Sequence, residues 1–139
     1  MNSLAAAIKT KGSVAGNFNT SINGRLYFVK APQNPTYPFV IFRIIYHSED
    51  YLFDAPSDSK QGIEDVLIQF NIHSNTKDST SECGTILGYL QTQFDFAALT
   101  ISGYNSPKMK RKRKYGPFWI QEDENWVYAQ EYGLELQKS

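Results

Sequence analysis

The stretch VLIQFNIHSNTKDSTSECGTILGYLQTQF, Val66 to Phe94, changes its hydrophobic period part-way along. Val66, Ile68, Phe70 and Ile72 alternate with Leu67, Gln69, Asn71 and His73. Successive strand side chains point to opposite faces, so this pattern predicts a strand over Ile63 to His73 with one cleanly apolar face. From Cys83 the period becomes helical. Cys83, Ile86, Leu87, Leu90 and Phe94 stand at i, i+3, i+4, i+7 and i+11, which is one stripe of an amphipathic helix. Ser79-Thr-Ser-Glu82 precedes the stripe and fits a capping box, in which a Ser hydroxyl and a Glu carboxylate satisfy free N–H groups of the first turn. A half-apolar strand followed by a half-apolar helix, about 78–95, predicts a helix packed on a sheet.

Upstream, Ser3 to Lys9 reads as a short helix capped by Ser3, with Leu4, Ala7 and Ile8 on one face. Gly12 and Gly16 oppose a long continuation, although Val14, Phe18 and Ile22 extend the apolar stripe. Asn23-Gly24 is a turn signal, and Arg25 to Lys30 reads as a strand. Three prolines fix a loop over Ala31 to Pro38. Phe39 to Ser48 is β-branched and aromatic with almost no polar break, which predicts a central strand buried on both faces. Glu49 to Gly62 is acidic and turn-rich, an exposed excursion. Leu99 to Ser102 reads as a short strand ending at Gly103. The last third gives two strands joined by the polar turn Glu122 to Asn125. The first is interrupted at Gly116-Pro117. The second carries Trp126, Tyr128, Tyr132, Leu134 and Leu136 on one face. With no repeat and no linker, residues 1–139 form one α+β domain: an antiparallel or mixed sheet, one main helix and a short N-terminal helix.

The composition narrows the function. Fourteen basic and fourteen acidic residues give a formal net charge of zero. A protein that binds nucleic acid over its whole surface is basic overall, and this one is not. One cysteine, Cys83, excludes an intrachain disulfide. No apolar run reaches the roughly eighteen residues of a membrane span, and the N-terminus does not read as a signal peptide. A soluble protein of a reducing cytoplasm, with no membrane partner, is expected. His47 and His73 lack metal-ligand spacing and read as polar strand-end residues. Cys83 reads as a buried structural thiol. Gly84-Thr-Ile-Leu-Gly88 reads as close helix packing. No nucleophile elbow, phosphate loop or dinucleotide fingerprint occurs, so neither catalytic residues nor a cofactor is expected.

The charge is strongly segregated. KMKRKRK, residues 108–114, holds Lys108, Lys110, Arg111, Lys112, Arg113 and Lys114. Glu49, Asp50, Asp54, Asp58, Glu64 and Asp65 crowd one earlier segment. Three readings of the basic run compete: a nucleic-acid arm, a solvated edge strand whose lysines block stray pairing, and one side of a subunit interface or ring lumen. No groove-fitting element for base readout accompanies it.

The order of features resembles the tail-terminator, or tail-completion, proteins of long-tailed bacteriophages. The resemblance is carried by Leu4 and Ile8, Gly24-Arg-Leu-Tyr27, Ala31-Pro32, Tyr37-Pro-Phe-Val-Ile-Phe42, Val66 to Ser74, Glu82 with Ile86 and Leu90, and Trp126 with Glu131-Tyr132. It covers nearly the whole chain, and Tyr37 to Phe42 is its best stretch. It implies a structural protein made in the host bacterial cytoplasm and built into the virion. There it caps the tail tube as a ring, usually a hexamer, and meets the head connector while DNA passes through the lumen. Its partners would be its own copies, the tail tube protein and the connector. The family pattern does not fix the basic run, so no role is carried over to it. The interrupted N-terminal helix departs from the longer one the family implies. On the charge pattern itself, Lys108 to Lys114 is expected to face lumen, connector or DNA. The acidic loop with Glu49, Asp50, Asp54 and Asp58 is expected to face a neighbouring subunit or partner.

Overall fold

A computed structural model describes residues 2–50, 63–76, 79–105 and 107–137. The elements run α1 (Asn2–Gly12), α2 (Asn17–Ser21), β1 (Leu26–Phe28), β2 (Phe39–Asp50), β3 (Ile63–Ser74), α3 (Ser81–Phe94), β4 (Lys110–Ile120) and β5 (Asn125–Gln137). The strands form one mixed sheet in the order β1-β2-β3-β5-β4. β1 lies parallel to β2, and every other neighbouring pair is antiparallel. The fold is α+β, as expected.

The two periods of the opening stretch converge on the core. Val66, Ile68, Phe70 and Ile72 are buried against Cys83, Ile86, Leu87, Leu90 and Phe94. Leu4, Ile8, Phe18 and Ile22 of the N-terminal helices join the same cluster. Phe94 is its aromatic centre, with ring centroids 5.9 Å from Phe18, 4.7 Å from Phe70 and 6.3 Å from Tyr132. The residues of β3 and β5 opposite to these lie on the other side of the sheet, which we call the open face.

Several local expectations are corrected. The centre of the sheet is β3, not the Phe39–Ser48 segment. β2 is buried on both faces only from Phe39 to Phe42, where β1 flanks it, and Arg43 and Ile45 are exposed. An irregularity between Ile44 and Tyr46 then shifts its pairing with β3. His47 lies within β2 and not at its end. Ser3 is inside α1, not before it, and Val14 is half exposed at 50%. Glu49 and Asp50 continue β2, paired with Glu64 and Ile63, so the acidic excursion starts later. Leu99 to Ser102 is not a strand; an isolated bridge joins Ala98 to Lys108 instead.

The capping box forms only in part: the Ser79 hydroxyl accepts from the Ser81 N–H at 3.0 Å, but the Glu82 half is lost. No side chain caps α3 at Thr80. Glu82 turns to the preceding strand and accepts a hydrogen bond from the buried Ser74 hydroxyl at 2.6 Å. A buried hydroxyl without a partner is costly, and the carboxylate supplies that partner. The Gly84 and Gly88 positions are not tightly packed either: a Cβ at Gly88 would meet nothing within 4 Å. Cys83 is buried as expected, and burial pushes its thiol up to about 11. The Tyr37-Pro38 and Gly116-Pro117 peptides are cis. Arg25 donates to the carbonyls of Pro38 and Tyr37 at 2.9 and 3.2 Å, tying the proline loop to β1.

Candidate functional site

Lys110 to Lys114 form the start of β4, an edge strand of the sheet, and Lys108 precedes it, bridged to Ala98. All six cations are exposed, but they do not form one surface. Lys110 pairs with Gly133 and Arg111 with Tyr132. Side chains directly opposed in an antiparallel pair share a face. Arg111 therefore lies on the helix side with Tyr132, and Lys110 on the open face. The next pair is Lys114 with Gln130, three residues on along β4 and two along β5. This is a β-bulge, which inserts one residue and shifts the alternation. Lys112 stays on the open face, lying along Gly133. Arg113 has Tyr115 and then Glu131 as its electrostatic neighbours, which hold it in its charged form. Lys114 returns to the helix side, its ammonium 6.0 Å from the centre of the Tyr128 ring.

The bulge is held by buried side chains. The Gln130 amide donates to the Arg113 carbonyl at 3.1 Å and accepts from Gln91 of α3 at 3.0 Å. Gln130 is fully buried, so this network supplies partners that water cannot. Periodicity alone gives no sign of it; the only cue is a Gln among the apolar residues of that β5 face.

A second tie joins β4 to the end of α3. Arg111 makes a two-pronged ion pair with Asp95, its Nε donating to Oδ1 at 3.2 Å and its terminal nitrogen to Oδ2. The Tyr132 hydroxyl donates to the same Oδ1 at 2.6 Å. Burial pushes the Asp95 carboxyl up, but the Arg111 and Tyr132 hydrogen bonds and the Arg111 charge together outweigh it, and the net shift is down. Burial and then Asp95 push the Tyr132 phenol well above its ordinary value. Arg111 is thus a structural residue of the run.

The clamp has a defined pH response. The Asp95 pKa is lower in the folded than in the unfolded chain, so protons favour unfolding. Its contribution is complete at neutral pH and is lost as the pH falls below 3.8, the ordinary value, towards the depressed one. Tyr132 has the opposite sign: its contribution is complete below its ordinary pKa of 10.0 and is lost as the pH rises beyond it. Asp95→Asn is expected to cost about 1 kcal/mol, because Arg111 is nearly half exposed and water screens the pair. Urea unfolding at pH 7 and pH 3 measures this; the gap between wild type and variant should narrow at the lower pH.

The remaining cations border a concavity on the open face. Lys108, Lys110 and Lys112 face Asp65 of β3 and Glu135 of β5 across a groove of about 520 Å³, with Leu67 in its lining. Asp65 and Glu135 are directly opposed in the β3–β5 ladder. The sequence does not show this meeting of acids and bases, because three strands far apart in the chain contribute to it. Glu49 and Asp50 end β2 at the Ile63 end of β3, while Asp54 and Asp58 lie outside the described residues. Farther along β4, Phe118 is 54% exposed and Trp119 packs on Trp126 with centroids 5.3 Å apart. His73 stacks on Phe39 at 4.7 Å and bonds to Asn125 at 3.2 Å. Burial lowers its pKa, the Asn125 bond opposing the shift. Among the described residues no three His, Cys, Asp or Glu side chains converge as metal ligands. No described helix is long and apolar enough to cross a membrane.

This fold occurs in a solved virion. A chain in the structure of the virion of a native gene transfer agent particle matches at a TM-score of 0.68 and 9% identity, over 96% of this chain and 93% of its own. The two chains share a fold. A second solved protein matches at a TM-score of 0.66 and 11% identity, over 99% of this chain and 96% of its own. No protein-family model matches the sequence, and no curated protein does. At these identities the likeness is one of architecture, and it spans the sheet, α3 and the N-terminal helices together.

Proposed function

We propose that this chain is a non-enzymatic virion-assembly protein of a long-tailed phage or prophage particle. It caps the tail tube as a ring, usually a hexamer, and joins tail to head. The observation that carries this reading is the near-complete fold likeness to a chain in a gene transfer agent virion. The sequence resemblance to tail-terminator proteins points the same way. Segregated charge also suits a head-to-tail ring, in which one patch meets a different patch on the next copy. The acidic segment from Glu49 onward faces a neighbouring subunit or partner. Lys108, Lys110, Lys112 and Arg113, the cations not held on the helix side, face the lumen or the connector. The protein resides in the virion at the junction of tail and head.

Electron microscopy of particles from a strain lacking the gene tests this directly. Overlong or headless tails are expected, and normal virions would reject the proposal. A sharper test replaces Lys108, Lys110, Lys112 and Arg113 by Glu while keeping Arg111. Circular dichroism and the unfolding midpoint should stay close to wild type, since all four side chains are exposed. Infectious titre should collapse. The second reading, a nucleic-acid accessory module, draws on the same exposed cations. It requires the isolated protein to bind duplex DNA with an affinity that falls steeply as salt rises.

A further inference from the structure

We propose that the groove on the open face docks an extended, acidic polypeptide segment of a partner protein, laid beside β4. The partner's source rests on the assembly reading above; its chemistry rests on the groove. Three lysines line one wall, at Lys108, Lys110 and Lys112. Among the described residues no ion pair joins them to Asp65 or Glu135, although both acids share the groove. All three lysines are exposed at the surface. Asp65 and Glu135 are like charges directly opposed, an arrangement that destabilises a ladder until a donor approaches. Backbone N–H groups of an incoming strand are such donors.

The same two acids argue against duplex DNA. A phosphate backbone brings negative charge without any N–H donor for Asp65 and Glu135, whereas a peptide backbone brings one at nearly every residue. A concavity of about 520 Å³ admits a few side chains but not a duplex. An extended segment fits better, because a single chain is narrow enough to lie in the groove along β4. Gly133 fits the same picture. A Cβ there would come within 2.7 Å of the Lys112 side chain, so its absence lets Lys112 lie along the groove.

Fluorescence anisotropy with the full chain and a fluorescein-labelled alternating Glu/Val peptide tests this at physiological salt. Saturable binding is expected. It should weaken at least about tenfold in Lys108→Glu/Lys110→Glu/Lys112→Glu, since three exposed pairs, each worth roughly a factor of two, are lost and replaced by repulsion. Lys30→Glu, an exposed cation elsewhere, should leave it unchanged. Gly133→Val fills the groove without altering charge and should also weaken binding. Equal binding by Gly133→Val would show a diffuse electrostatic patch and overturn the groove. Tighter binding of a duplex DNA than of the peptide would assign the surface to nucleic acid, and no binding of either would end the proposal. Normal virions in the deletion strain together with intact peptide binding would refute the assembly reading alone.

Discussion

Phe94→Ala should lower the unfolding free energy by about 3–5 kcal/mol, the range for emptying an aromatic site in a packed core. Phe94 is fully buried at the last turn of α3. Its ring touches three elements at once: Phe18 of α2, Phe70 of β3 and Tyr132 of β5. Truncation removes the contacts by which the N-terminal helices, α3 and the sheet share one core. The neighbours belong to three separate elements, so collapse around the void needs concerted movement, and the cost should fall near the upper end. Phe96, two residues on and 71% exposed, is the control. Its replacement by Ala should change stability by about 0.5 kcal/mol or less. Urea unfolding measures both, and similar costs at the two positions would contradict the packing described.

Gly116→Val should cost about 2–3 kcal/mol and open the β4–β5 hairpin locally. Gly116 has φ 105, in the region that β-branched residues avoid. A Cβ there would also stand 2.7 Å from the Val127 carbonyl oxygen and 3.3 Å from the Phe118 nitrogen. Both are backbone atoms and cannot swing aside. Gly103→Ala separates the two effects, because φ there is 84 and nothing lies within 4 Å of the added carbon. Its cost should be about 1 kcal/mol. Hydrogen exchange should show faster exchange in the hairpin for Gly116→Val than for Gly103→Ala. Equal rates would mean that the steric contact with Val127 is unimportant.

The parts of the fold readable in the sequence are those set by period. β3 and α3 each carry an uninterrupted apolar pattern, and both stripes reach the core unchanged. The face of β5 from Trp126 to Leu136 was legible for the same reason. What failed was what depends on partners. The capping box has the right letters, but Glu82 is held by Ser74, a residue of the preceding strand. The Phe39–Ser48 run reads as central because it is apolar, yet apolarity comes here from flanking β1 over three residues and from the core beneath. The site was half legible. Six cations in seven positions mark β4, but alternation alone would place Arg111 and Arg113 on one face. The bulge puts Arg111 on the helix side and leaves Arg113 beside Tyr115 and Glu131. The groove was not legible, since Asp65, Glu135 and the lysines meet only when β3, β5 and β4 are aligned.

The irregular pairing of β4 has an evolutionary corollary. The strand carries one surplus residue at Lys112–Arg113 and another at Gly116–Pro117. Deleting Lys112 or Arg113 would restore regular alternation without moving the Arg111–Tyr132 or Trp119–Trp126 pairs relative to β5. Deleting Gly116 or Pro117 would do the same at the second point, whereas a deletion elsewhere between Lys110 and Ile120 would slide one of these pairs out of register. Length variation in related chains should therefore concentrate at these two points, leaving the number of cations free to drift while the clamp to Asp95 is kept.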